Sequence, residues 1–149
     1  MKFREETFKV KTYECRPDGN IKIACLMQYL QEVAANHAEQ LGFGINKLSE
    51  INGYWVLSNL KIQIDKLPRW NDGVTVKTWP SGHTRSIATR EFVGRDQDEC
   101  ELFQVSSQWM ILDKKSNRLK NLSRLDLALP KTGTKVLSGE LKRLEPRDD

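Results

Sequence analysis

Two side chains in Leu30-Gln31-Glu32-Val33-Ala34-Ala35-Asn36 carry chemistry at a useful spacing. Glu32 and Asn36 stand four apart, so on a helix they share a face and the amide can orient the carboxylate or a water beside it. A carboxylate taken out of water has a raised pKa and can act as a base near neutral pH. Hydrolysis of an acyl compound also needs donors for the developing oxyanion. The first backbone N–H groups of a helix, helped by its dipole, supply them. Asn20 stands where a cap would accept a bond from those groups, at the start of the run from Ile21. Glu32, Asn20 and Asn36 are therefore the candidate catalytic residues. The plainer alternatives are a solvated Glu32 opposite the apolar stripe and an Asn20 that only caps.

Three further residues are candidates for contact with a substrate. Trp55 opens a strand and can line an apolar pocket, and Arg85 begins a later strand. His37 falls on an apolar stripe, where a lone His is more often a hydrogen-bonded core residue. Cys25 lies in the first helical turns, which favour a thiolate, but His37 is three turns away and no base accompanies it. Cys15 and Cys100 read as buried small residues. Trp55, Trp79 and Trp109 read as fillers of the core and sheet faces, one of them lining the pocket.

The elements that must position these groups are legible from periodicity. Residues 3–14 mix apolar and charged side chains as an exposed or edge strand, and Arg16-Pro17-Asp18-Gly19 is a turn. From Ile21 to Leu41 there is no Gly or Pro, and Ile23, Leu26, Leu30, Val33, Ala34, His37 and Leu41 recur at three- and four-residue spacing. That pattern predicts one long helix ended by Gly42. After a loop over 44–52, the period changes to two. Strands are predicted from Tyr54 to Ile64, from Val74 to Trp79, from Arg85 to Val93 and from Cys100 to Asp113, with Pro80-Ser81-Gly82 as a turn. One apolar-faced helix followed by a run of antiparallel strands is an α+β layout, a sheet wrapped on a helix in the hot-dog manner. Residues 1–130 form that domain, and 131–149 read as an irregular tail with a short helix near 138–144. The open sheet edges predict a homodimer or homotetramer.

Composition narrows the class. The chain has 149 residues, 38% hydrophobic and 30% charged, which suits a single domain. No run approaches the roughly 20 apolar residues of a membrane span, and the first 15 residues have no apolar signal core. A cytoplasmic protein with no membrane partner is the expectation. The three cysteines are widely spaced and the two His are 46 positions apart. Neither a disulfide framework nor a zinc site is expected, and no cofactor or metal is called for. The 24 Lys and Arg against 20 Asp and Glu give a formal charge of +4. They are spread rather than striped, which argues against nucleic acid. The one cluster is Lys114, Lys115, Arg118, Lys120 and Arg124, a solvated face or a dock for an acidic partner.

The residues also resemble a known family. Leu26-Met27-Gln28-Tyr29-Leu30-Gln31-Glu32-Val33-Ala34-Ala35-Asn36-His37-Ala38 is similar to the helix of the first hot-dog half of plant and bacterial acyl-ACP thioesterases. Tyr54-Trp55-Val56-Leu57, Pro68-Arg69-Trp70-Asn71-Asp72 and Val76-Lys77-Thr78-Trp79-Pro80 agree in order and spacing, as do Arg95-Asp96 and Ser106-Ser107-Gln108-Trp109-Met110. The resemblance spans about residues 5–125. It implies hydrolysis of fatty acyl thioesters of acyl carrier protein, or of coenzyme A, to free fatty acid. Segment Leu30–Ala34 also looks like the place where single-domain hot-dog thioesterases carry a catalytic acid, which implies that role for Glu32.

The family usually fuses two hot-dog domains, and its second half starts its helix with Asp-x-Asn-x-His. Here the matching stretch is Asp18-Gly19-Asn20-Ile21-Lys22, with Lys22 where that pattern has His. The later strand, Phe92-Val93-Gly94-Arg95-Asp96, has no acid or thiol at the matching point. The alternative to an enzyme in its own right is thus a non-catalytic acyl-binding half that needs a second domain or subunit.

Overall fold

The computed structural model describes residues 2–125, 127–130 and 133–137. Strand β1 (Arg4–Lys9) leads through a 3-10 turn (Thr12–Glu14) to helix α1 (Ile23–Leu41). A short helix α2 (Ile45–Glu50) follows, then β2 (Gly53–Ile64), β3 (Gly73–His83), β4 (Ala88–Arg95) and β5 (Glu101–Asp113), and a second 3-10 turn (Leu122–Arg124). The five strands form one antiparallel sheet in the order β1-β3-β4-β5-β2, with α1 across it. This is the expected α+β hot-dog arrangement.

Of the predicted stripe α1 buries Leu26, Leu30, Val33, Ala34 and His37, together with Tyr29 and Ala38, whereas Ile23 is exposed and Leu41 half-buried. It packs on Val74 and Val76 of β3, Phe92 of β4, and Phe103 and Val105 of β5. Phe103 closes over β4 where Gly94 has no side chain, since a Cβ there would come within 2.1 Å of the Phe103 ring. Phe8 of β1 stacks on Tyr29 with ring centroids 4.3 Å apart, and Tyr29 donates from its hydroxyl to Glu14 at 2.6 Å. Gly42 ends α1 in the left-handed region at φ 91°, where only glycine is unstrained.

Four expectations are corrected. Helix α1 begins two residues later than predicted, with Lys22 at its N-cap and no side-chain cap, so Asn20 does not cap it. The reason is that Ile21 is held outside the helix: its N–H donates to Pro68 O at 2.9 Å and it bridges to Cys15. The loop expected over 44–52 contains α2, which uses Leu48 to seal a second apolar cluster with Ile111 and Leu122. Pro80-Ser81-Gly82 is a bulge inside β3 rather than a turn. The chain reverses at Thr84, whose N–H donates to Ile87 O at 2.7 Å, so β4 starts at Ala88 and Arg85 lies in the turn. Cys100 is exposed beside that strand's far end, not buried.

Consecutive strands pair from β3 to β5, but β2 pairs with β5 instead of β3. The two edges of the sheet are therefore β1 and β2. The short helix expected near 138–144 lies outside the described residues. No helix among the described residues is long and apolar enough to cross a membrane.

Candidate functional site

The stripe that faces the sheet is only one side of α1. On an adjoining side Gln31, Ala34, Ala35 and Ala38 recur at i, i+3, i+4 and i+7, and three of the four are too small to fill the space beside them. Helix α2 stands off from that side, carrying Ile45, Leu48 and Ser49 toward it. The gap is a cavity of about 240 Å³, closed below by the start of β2 (Gly53, Tyr54, Trp55), by Ala88, Thr89 and Arg90 of β4, and by Trp109 of β5. Leu129 and Pro130, from the chain after β5, complete its wall together with Pro80 and Gly82 of the β3 bulge. The exposed members Gln31, Ile45, Ser49, Tyr54 and Lys114 mark its mouth. An apolar cleft with few polar groups is the form of a site for an apolar ligand.

Trp55 holds its wall position by donating from Nε1 to Phe43 O at 2.8 Å, with the Phe43 ring edge-on at 6.4 Å. Trp109 is fixed in the same way, Nε1 to Ser107 Oγ at 2.8 Å. Both indoles spend their polar atoms on the protein and turn apolar surface to the cavity.

Arg90 is the one buried cation among the described residues that line the cavity, 6% exposed. Its Nη1 reaches His37 Nδ1 at 2.9 Å and Thr78 Oγ1 at 3.2 Å. Burial pulls its pKa down to about 10. A guanidinium only donates, so His37 Nδ1 accepts and its ring proton sits on Nε2. His37 thus lies behind the cavity as a buried support for Arg90 rather than in the wall.

The candidate catalytic residues fall elsewhere. Asn36 Nδ2 donates to Glu32 Oε1 at 3.2 Å and to Glu6 Oε2 at 3.0 Å, and Arg4 Nε pairs with the same Glu6 oxygen at 2.9 Å. The sequence was right that Glu32 and Asn36 share a face, but the face looks toward β1, at the opposite edge of the sheet from β2. Glu32 is exposed and is not in the cavity wall. Asn20 belongs to a third place: its Oδ1 accepts from Arg69 Nη1 at 3.2 Å, beside Asp18 O, which accepts from Arg69 Nη2 at 3.0 Å. Gly19, at φ 87°, makes this clamp possible, since a Cβ there would lie 2.7 Å from Arg69 Nη2. Arg16, and then the Asn20 N–H, hold the Asp18 carboxyl below its ordinary range. Arg85 is exposed, and its carbonyl accepts from Leu122 N at 2.7 Å.

Of the six residues picked out from the sequence, only Trp55 borders the cavity. Arg90 was missed because a lone Arg among strand residues looks solvated. The available signal was Ala34, Ala35 and Ala38, an alanine face flanking the stripe. No cluster of three or more potential metal ligands occurs among the described residues.

A sequence profile for the acyl-ACP thioesterase N-terminal domain matches residues 1–124. The chain belongs to this family. The palmitoyl-acyl carrier protein thioesterase of Arabidopsis thaliana chloroplasts is 32% identical over 124 residues, covering 78% of this chain and 30% of the relative. Among solved structures, the 12:0-ACP thioesterase from Umbellularia californica superposes with a TM-score of 0.82 at 23% identity, covering 99% of this chain and 57% of that one. A DHNA-CoA thioesterase from Staphylococcus aureus gives 0.76 at 14% identity and covers 85% of each. The chain thus spans about a third of the length of the curated relatives it matches, and the profile it matches is that of the family's N-terminal domain.

Proposed function

We propose that this chain is the acyl-binding half of a thioesterase that hydrolyses fatty acyl thioesters of acyl carrier protein. The observation that carries this is the separation just described: the apolar cavity is complete, while Glu32, Asn36 and Asn20 lie away from it. The acyl chain enters past Ile45 and Tyr54 and lies along Ala34, Ala35 and Ala38 against Trp55 and Trp109. Its burial there supplies roughly 0.8 kcal/mol per methylene, binding energy that fixes the thioester at the mouth. Arg90 bounds the depth of the cavity.

The group that activates water is supplied at the mouth by a second hot-dog unit, as in the family's Asp-x-Asn-x-His half. Strand β2 is the edge that receives it. It is 12 residues long, carries the exposed Tyr54, Leu57 and Ile64, and has its first residues in the cavity wall. Edge strand β1, by contrast, is six residues and is guarded by Arg4, Glu5, Glu6 and Lys9. An anionic carrier, acyl carrier protein or coenzyme A, suits Lys114 at the mouth and Lys115 and Arg118 in the turn that follows it, all exposed and without an ion pair to any described residue. A reducing cytoplasm, fitting three unpaired thiols, completes the reading.

The test is a palmitate-binding titration run beside hydrolysis assays on palmitoyl-ACP and palmitoyl-CoA. The chain alone binds palmitate, and turnover appears when a half bearing Asp-x-Asn-x-His is added. Absence of binding, or full turnover by the chain alone that is lost in Glu32→Gln, overturns the proposal.

A further inference from the structure

Glu91 is the most buried acid among the described residues, 1% exposed, and the acyl cavity does not use it. It follows Arg90 in β4, so its side chain points to the opposite face of the sheet, away from α1. There its carboxylate accepts from Ser81 Oγ of β3 and Ser106 Oγ of β5, both at 2.5 Å. Its third donor comes from outside the sheet: Val136 N at 3.2 Å. A charge in so dry a place is tolerable only when its oxygens are satisfied, and one of the satisfying groups is the strap that follows β5.

That strap is held at several further points. Trp79 Nε1 donates to Thr134 O at 2.6 Å, and His83 Nδ1 lies 2.7 Å from Pro130 O. Gly133 is pressed on the β3 bulge so closely that a Cβ would stand 2.8 Å from both Pro80 O and Ser81 Cα. Lys135 borders a small void of about 20 Å³ together with Glu91. The same bulge supplies Pro80 and Gly82 to the acyl cavity, and the strap itself supplies Leu129 and Pro130.

We propose that Glu91 is a positioning residue that latches this strap across the outer face of the sheet and thereby sets how long an acyl chain the cavity accepts. The strap leaves the cavity at Pro130 and is anchored at Glu91 a few residues on. Releasing the anchor frees Leu129 and Pro130 to withdraw and lengthens the cavity. Glu91 acts through the strap and touches no substrate. The acyl-length part of this inference rests on the cavity reading above, whereas the latch itself does not.

Three variants of the 149-residue chain test it. Val136→Pro deletes the donated N–H and leaves Glu91 and both serines intact. Gly133→Val drives the strap off the bulge. Glu91→Gln keeps the shape and removes the charge. Each is read by trypsin cleavage after Lys131, a Lys-Thr bond within the strap that all three variants keep, and by binding of saturated fatty acids from octanoate to stearate. Val136→Pro and Gly133→Val raise the cleavage rate about tenfold, the loss expected when a hydrogen bond to a charged group is removed. Both shift the bound series toward longer acids, and Glu91→Gln shifts it the same way by less. Unchanged cleavage in Val136→Pro and Gly133→Val overturns the latch. Faster cleavage with an unaltered acid series overturns the control of chain length. A wild-type chain that binds none of the acids overturns the cavity reading instead, and the cleavage result then decides the latch alone.

Discussion

Arg90 Nη1 and His37 Nδ1 meet at 2.9 Å behind the cavity, joining the β-sheet to the buried face of α1. A cation in such a place is usually matched by a carboxylate. Among the described residues, His37 and Thr78 are the acceptors that share the task. His37→Leu leaves the buried guanidinium short of one acceptor and lowers stability by about 2 kcal/mol. Urea unfolding shows a lower midpoint at an unchanged slope. The double variant His37→Leu/Arg90→Met loses less than the sum of the two single losses, because the orphaned charge is gone. Strict additivity would mean that the two side chains do not support one another.

Ala35 is half-buried and belongs to the cavity wall but not to the main apolar core. Ala35→Phe fills the cavity from the helix side at a cost to folding of about 1 kcal/mol. Palmitate affinity falls at least about tenfold, the equivalent of roughly 1.4 kcal/mol, while octanoate is affected less. Palmitate binding as tight as in the parent chain would place the acyl site somewhere else.

Glu32→Gln removes a charge from the Arg4, Glu6, Asn36 cluster on the β1 side of α1. Only the four-residue contact with Asn36 and an exposed charge are altered, so stability shifts by about 0.5 kcal/mol or less. Palmitate binding, and turnover in the presence of a catalytic half, are unchanged. Loss of turnover with folding intact would return Glu32 to the reaction.

Asp113 ends β5 at the basic turn beside the cavity mouth. Its carboxylate accepts from Ser116 N and Lys115 N, and lies 3.3 Å from Lys120 Nζ. These bonds, the Ser116 amide first, hold its pKa down at about 2. A carboxylate depressed in the folded state stabilises the turn above the unfolded pKa, and that contribution fades as the pH falls toward the folded one. NMR titration shows Asp113 changing protonation near pH 2, with the Lys115 and Ser116 amide signals moving together with it. An ordinary titration near pH 4 would show that the turn is open in solution.

Much of this architecture was legible because it depends on periodicity. The three- and four-residue spacing from Leu26 to His37 reports the buried face of α1 directly, and alternation marks β3, while β4 and β5 carry continuous buried runs. What misled was local chemistry overruled by pairing. Asn20 looks like a cap, but Ile21 is tied to Pro68 and Arg69 reaches across to clamp the loop. Pro80-Ser81-Gly82 looks like a turn, yet the sheet carries it as a bulge because β4 continues to pair on either side. The site was harder still to read. A cavity is defined by what is absent, here the side chains that Ala34, Ala35 and Ala38 do not have. Whether an acid on α1 faces that space or the β1 edge depends on contacts with Glu6, which is distant in sequence.

The central claim is that the acyl chain lies between α1, α2 and the β2 end of the sheet. An amide and indole NMR titration of the isotopically labelled chain with palmitate tests it most directly. The account predicts that shifts concentrate on Ala34, Ala35 and Ala38 and on the indoles of Trp55 and Trp109, with Asn20, Glu32 and Asn36 unmoved. Shifts centred on Glu32, Asn36 and the β1 edge, or none at saturating palmitate, would contradict it.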